Sequence, residues 1–208
     1  MIKELLSRYP NLNSCSDAIV NAKKELIKCY QSGGKLLLCG NGGSCSDCEH
    51  IAGELMKGFL KMRPLTYEKK TQLKAACPLV EDEMLNQLQR GLPAIPLSSF
   101  TALNSAFCND VNAELVYAQT LIALAKEQDV LFAISTSGNS KNVVNAAKVA
   151  KALGIIVISL TGRDGGKIRE LSDICICVPE IETYKIQELH LPIYHYLCAE
   201  IEKYFFDL

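Results

Sequence analysis

From position 35 onward, short apolar runs alternate with stretches whose apolar residues recur every three or four positions. The runs at 35–40 (KLLLCG), 93–97, 129–135 (DVLFAIS), 155–160 (IIVISL) and 173–178 (DICICV) are partly β-branched and bounded by Gly, Ser or Asp, so each is predicted to be a strand. Helical spacing marks 44–59, 113–126 and 140–153; Val143, Ala147, Ala150 and Leu153 illustrate the third. Longer helical patterns at 14–31 and 184–206 flank the set. Strands alternating with helices specify βαβ units and a parallel sheet, and five strands suffice for a doubly wound α/β domain.

One segment breaks this rhythm. Residues 61–91 are rich in charge and lack a strand pattern, and they far exceed the roughly 2–6 residues of an ordinary helix-to-strand connection. They read as an insertion, partly helical around 81–90. No internal repeat, low-complexity tract or Gly/Ser linker marks a second domain. The expectation is therefore one domain over 1–208, with N-terminal helices occupying about 1–33.

Composition narrows the class. The chain has 208 residues, 49% hydrophobic and 22% charged, which excludes a disordered chain or a fibrous rod. No apolar run approaches the roughly 18 residues of a membrane span, and MIKELLSRYP alternates charges where a secretion signal needs an apolar stretch, so a cytoplasmic protein with no membrane partner is expected. With 22 Lys and Arg against 23 Asp and Glu, the net charge of −1 gives no general attraction for nucleic acid; an anion must be bound locally. The ten cysteines are expected to be reduced packing residues, since a chain of this length can bury a core without disulfides.

Two strand-to-helix turns carry the candidate chemistry. The first strand runs into Cys39-Gly40-Asn41-Gly42-Gly43-Ser44, the third into Ser135-Thr136-Ser137-Gly138-Asn139-Ser140. In an open α/β sheet the ligand crevice lies outside the carboxyl ends of the strands, where glycines admit an anion and helix N-termini aim N–H groups at it. Ser135, Thr136, Ser137 and Ser140 place four hydroxyls in six residues. That exceeds what capping one helix requires, and without a P-loop lysine it suits a phosphomonoester better than a triphosphate. The first turn lacks the spacing and the later acidic residue of a dinucleotide site.

The three histidines form a second constellation. His50 and Glu54 are four apart on the helix after the glycine turn; Gln187 and His195 are eight apart on the C-terminal helix, again near one face. Together they offer two nitrogens, a carboxylate and an amide oxygen, a donor set suited to zinc, and equally an acid–base pair able to isomerise a sugar through an enediol. His190 is turned away from His195 and reads as a hydrogen-bonded structural residue. Cys45 and Cys48 form a CxxC at a helix start, and Cys175 and Cys177 point to the same side of a strand; all four are taken as packing residues. Asp110 precedes a helix and reads either as its cap or as a contact to sugar hydroxyls.

CGNGGS followed by His50 and Glu54, then ISTSGNS (134–140), LTGRDGGK (160–167) and KIQELHLPIYH (185–195), resemble the sugar isomerase (SIS) family, and within it the phosphoheptose isomerases. The resemblance covers nearly the whole chain apart from 61–91. It implies a three-layer α/β sandwich of flavodoxin-like type with a five-stranded parallel sheet, assembled as a homotetramer with active sites built from more than one subunit. It also implies conversion of sedoheptulose 7-phosphate to D-glycero-D-manno-heptose 7-phosphate. Ser135, Thr136, Ser137 and Ser140 match the family's phosphate loop; Asn41, Gly42 and Ser44 match the turn beside the sugar, and Asp110 an active-site Asp, with Gln187 added to the sugar contacts. Glu54 and His195 match the acid–base pair, while His50, Glu54, Gln187 and His195 match the ligands of one zinc per subunit in some members. The competing readings are a non-catalytic SIS protein, either a phosphosugar sensor or a partner of the replication initiator, and an isomerase of another phosphosugar.

Overall fold

The computed structural model describes residues 2–207. In chain order the elements are α1 (Ile2–Arg8), a 3-10 segment (Pro10–Cys15), α2 (Ser16–Gln31), β1 (Leu36–Cys39), α3 (Gly43–Met56), α4 (Tyr67–Ala76), α5 (Asp82–Gln87) and β2 (Ala94–Pro96). There follow α6 (Thr101–Phe107), a π-helical turn (Cys108–Asn112), a 3-10 turn (Ala113–Leu115), α7 (Val116–Leu124), β3 (Val130–Ser135), α8 (Lys141–Ala152), β4 (Ile156–Gly162), a 3-10 segment (Gly166–Leu171), β5 (Ile174–Val178) and α9 (Thr183–Phe206).

All five expected strands form. They make one sheet in the order β2-β1-β3-β4-β5, every pairing parallel, with Leu36 opposite both Ala94 and Val130. Alternation along each strand divides the core in two. Leu36, Leu38, Val130, Phe132, Ile158 and Leu160 pack against α1, α2, α3 and α9 through Leu5, Ile19, Leu26, Leu55 and Ile193. Leu37, Leu131, Ala133 and Val157 face the opposite way, onto α7 and α8 through Tyr117, Leu121, Val143 and Ala147. The sheet is therefore covered on both faces, as parallel sheets require. Strand β2 has three residues and ends in Pro96, which removes one backbone donor at that edge.

The sequence reading erred in the connections. The helix expected over 113–126 begins as a 3-10 turn and becomes α-helical only at Val116; α6 and the π turn before it were not anticipated. The expected cap at Asp110 is not one, since Asn112 is the side chain that accepts from Glu114 N–H, at 2.8 Å. The long N-terminal helix starts at Ser16, behind a 3-10 segment that opens on Pro10. The 61–91 insertion holds two helices, and α4 buries none of its side chains, so no apolar period exposed it in the sequence.

The insertion is pinned at its neck. Pro64 bridges Gln89, and Arg90 N–H donates to Arg63 carbonyl at 2.7 Å. Arg63 is buried completely. Its Nε donates to Glu202 at 2.7 Å, its two terminal nitrogens to the carbonyls of Leu55 (2.8 Å) and Glu54 (3.0 Å), and its guanidinium lies over the Phe206 ring. The Glu202 carboxylate also accepts the N–H groups of Phe59 and Leu60, at 2.8 Å each. Burial drives its pKa up, but these amide donors and Arg63 outweigh that and hold it below the ordinary value of 4.5. A carboxyl depressed in the folded state stabilises above its unfolded pKa and loses that contribution as the pH falls through its folded one.

Replacing Arg63 by Ala leaves Glu202 charged and buried without its partner, so urea unfolding monitored by circular dichroism is expected to lose about 3–5 kcal/mol. The wild-type protein is expected to lose stability on acidification below about 4.5, and Glu202→Gln to show a shallower loss over that range.

Candidate active site

In a sheet of this order the winding reverses between β1 and β3, and open α/β sheets place their ligand crevice at the carboxyl ends of those strands. Both candidate turns lead out of those two strands. After β1, Gly42 takes φ 55°, ψ −124°, a conformation open to glycine, and starts α3. Tyr117 from α7 donates its hydroxyl to Gly40 carbonyl at 2.6 Å and reaches Asn41 Oδ1 at 3.2 Å. Asn41 and Asn142, at the start of α8, exchange reciprocal amide hydrogen bonds of 2.8 and 2.9 Å, which tie the two turns together. Ser44 is buried at the start of α3.

After β3, Ser135 Oγ donates to Ser140 Oγ at 3.2 Å, and Ser137 Oγ accepts from Asn139 N–H, also at 3.2 Å. Ser140 makes no side-chain cap to α8. Its hydroxyl thus remains with the turn, and simple N-capping does not account for the row of hydroxyls. Gln187 reaches the same region from α9: a Cβ on Gly43 would sit 2.5 Å from its Nε2, so a side chain there would collide with the amide.

His50, Glu54 and His195 gather further down α3, about 10–16 Å from Gly43 at 1.5 Å of rise per residue. His50 Nε2 meets Glu54 Oε1 at 3.1 Å, His50 Nδ1 meets the Tyr194 hydroxyl at 3.0 Å, and that hydroxyl donates to Asp47 Oδ1 at 3.2 Å. Donor counting constrains the proton here. With Tyr194 donating to Asp47, the His50 tautomer that carries Nδ1–H completes the contact to the phenol oxygen. The His195 ring stands edge-on to His50 with centroids 5.0 Å apart, and its Nε2 is buried without a partner. Burial, seconded by His50, lowers the His195 pKa, while Glu54 opposes both. His195 also opens onto a groove of about 400 Å³ between α1 and α9, walled by Leu5, Tyr9, Phe59 and Leu191; no residue of the 135–140 turn lines it.

The sequence therefore located both turns and the His50, Glu54 and His195 group, but it missed Asp47, Tyr194, Tyr117 and Asn142. Of these, Asp47 alone carried a local signal, three residues before His50 on one helical face. Asp110 lies exposed in the π turn and accepts only from its neighbour Asn109, at 2.9 Å. His190 is the buried structural residue expected: burial pulls its pKa down to about 4, opposed by a contact to the Thr161 backbone, so it packs as a neutral ring. Among the described residues, no three His, Cys, Asp or Glu side chains are clustered tightly enough to hold a metal ion. Gln187, about 12 Å along α9 from His195, stands with the glycine turn.

The SIS domain family model matches residues 103–196. The phosphoheptose isomerase of Helicobacter pylori (strain P12) is 40% identical over 203 residues, 98% of this chain and 91% of that protein. That of Aliarcobacter butzleri is 38% identical over 206 residues, 97% of this chain and 95% of the relative. Among solved structures, the phosphoheptose isomerase of Neisseria gonorrhoeae superposes with a TM-score of 0.74 at 32% identity, covering 96% of this chain and 94% of that one. The enzyme from Francisella tularensis gives 0.76 at 30% identity, covering 96% and 92%.

The lowered pKa makes His195 neutral at pH 7, so its Cε1–H signal in NMR titration is expected to move with a midpoint below 6.5. Glu54→Gln removes the one group that raises it and is expected to push that midpoint lower still.

Proposed function

The chain belongs to the phosphoheptose isomerases of the SIS domain family, and from that premise we propose that it interconverts sedoheptulose 7-phosphate and D-glycero-D-manno-heptose 7-phosphate. It is a phosphosugar isomerase. The observation that carries the substrate assignment is the pair of turns joined across the β1/β3 switch point, one rich in glycine and the other in hydroxyls. In this reading Ser135, Thr136, Ser137 and Ser140 hold the phosphate with the N-terminal amides of α8, while Asn41, Gly42, Ser44, Asp110 and Gln187 contact the sugar.

Glu54 takes the proton from carbon 1 of the ketose and returns it to carbon 2 of the enediol, and His195 moves the hydroxyl proton from the oxygen on carbon 1 to the oxygen on carbon 2. A neutral imidazole suits that part, because it can both give and accept at neutral pH, and burial keeps His195 neutral. The Asp47, Tyr194 and His50 chain orients Glu54 and can relay its proton.

We further propose zinc as the metal, held by His50, Glu54, Gln187 and His195. The mixed nitrogen and oxygen donors and the unpartnered His195 Nε2 support it, although within one chain the donors do not close around a single point and Gln187 stands furthest apart. Bound there, it would polarise the substrate carbonyl. A homotetramer with shared sites is the proposed assembly. It rests on the separation of the hydroxyl turn from His195 and on the exposed apolar side chains of Met56, Leu60 and Met62 just beyond Glu54. Since phosphorylated sugars are made and consumed inside cells, the proposed compartment is the cytoplasm.

Glu54→Gln and His195→Ala are each expected to lower kcat for sedoheptulose 7-phosphate by about 10²–10⁴ with unchanged urea midpoints. Ser137→Ala is expected to raise KM instead. A Glu54→Gln protein with near-normal turnover would sink the assignment, and elemental analysis before and after chelation tests for one zinc per chain.

A further inference from the structure

Cys175 and Cys177 lie on β5, at the edge of the sheet away from β2. Ile176 and Val178 face the α9 side of the core, so the two cysteines share the other face. Their Sγ atoms are 3.4 Å apart, and Thr161 Oγ1 stands 3.7 Å from the first and 3.3 Å from the second. Both are half-buried, unlike Cys39 and Cys198, which are enclosed and whose thiols burial pushes up to about 12. The pair behaves differently. Hydrogen bonding from the Cys177 thiol, helped by Ser159, Thr161 and the Arg169 charge, lowers the Cys175 pKa against burial; Cys177 keeps the shared proton and its pKa rises. A thiolate in contact with a thiol is an attacking and resolving pair.

The residues above the sulfurs lead to the substrate crevice. A Cβ on Gly165 would lie 3.1 Å from each Sγ, so the backbone rests directly on them. The Gly165 carbonyl in turn packs on Gly138 of the hydroxyl turn. Three further amides hold the same contact: Gly162 N–H donates to Thr136 carbonyl at 3.1 Å, Lys167 N–H to Asn139 Oδ1 at 3.1 Å, and Ile168 N–H to Gly138 carbonyl at 3.0 Å. Arg163, Gly165 and Gly166 all have positive φ, at 54°, 89° and 56°. For Arg163 that conformation is strained, and it persists because both neighbouring segments fix the loop.

We propose that Cys175 and Cys177 are a redox-active dithiol, closed to a disulfide by hydrogen peroxide or an organic hydroperoxide, and that closure loosens the 162–168 support beneath the 135–140 turn. The Cys175 thiolate attacks one peroxide oxygen; the O–O bond breaks, a sulfenic acid forms, and the departing oxygen takes a proton and leaves as water or alcohol. Cys177 then attacks the Cys175 sulfur. The S–S bond forms as the S–O bond breaks, and a water leaves with the Cys177 proton, so two electrons pass from two thiols to one peroxide. Same-face positions of a strand stand about 6.6 Å apart, whereas a disulfide needs Cβ atoms about 3.5–4.5 Å apart, so β5 must pucker at Ile176. Among the described residues β5 is hydrogen-bonded in the sheet to β4 alone, so the pucker breaks no second ladder. A bond closed under strain is readily reduced, which makes the change reversible.

The test reads the dithiol and the turn without using turnover, so it stands apart from the isomerase reading. Reduced protein is titrated with hydrogen peroxide, free thiols are alkylated, and the tryptic peptide 170–185 is weighed while amide hydrogen exchange is followed across 136–140 and 162–168. The expected result is loss of two hydrogens from that peptide ahead of oxidation at the exposed Cys77 and Cys108, several-fold faster exchange in both segments, and reversal by dithiothreitol. Cys177→Ser is expected to stop at a sulfenic acid on Cys175, trapped by dimedone, with exchange unchanged. Oxidation of 170–185 no faster than at Cys77 and Cys108 would overturn the proposal, as would a disulfide that leaves exchange across 136–140 unaltered.

Discussion

Parallel strands cannot be joined by a hairpin, and that constraint places the two turns proposed to hold the phosphosugar. Each strand must be followed by a crossover that returns the chain to the starting end of the sheet, so all five strands point their carboxyl ends at one edge. Where the winding reverses, between β1 and β3, the two outgoing connections part to opposite faces: α3 goes to one and α8 to the other. The glycine turn and the hydroxyl turn are left side by side at that edge. The asparagine pair of Asn41 and Asn142 then sets how far apart they stand.

The proposed acid–base group depends on a different device. Glu54 sits in the last turn of α3, where the helix has unpaired carbonyls and would ordinarily fray. Arg63 takes two of those carbonyls, Glu54 and Leu55, and is itself neutralised by Glu202 from α9. One buried ion pair thus fixes the end of the helix that carries the carboxylate, the neck of the insertion and the last turns of α9. The 61–91 segment, which the sequence presents as an excursion, supplies the residue that holds the site's backbone.

The legibility of each part follows from the range of the forces that make it. Strands β1 and β3 are apolar at every position because both faces are covered, and such runs survive in the sequence as plain signals. The two turns were legible for another reason, since glycine and clustered hydroxyls are local requirements of a close backbone approach. By contrast, α4 packs nothing and left no period, and α6 with its π turn has no fully buried side chain to declare it. Arg63 and Glu202 are 139 residues apart, and Tyr194 and Asp47 are 147 apart; a buried charge or a relay made of such pairs exists only once the fold does.

The proline that closes β2 bears on how copies of the chain can meet. A three-residue edge strand without a full set of amides is a poor template for another strand, so extension of the sheet from that side is blocked. The β5 edge is flanked instead by the 3-10 segment, whose Leu12 and Cys15 pack into the same core as Ile176 and Val178. Strand addition, with its risk of open-ended fibres, is thereby disfavoured, and the proposed tetramer would have to close through helical faces, whose side-chain surfaces can form a finite assembly.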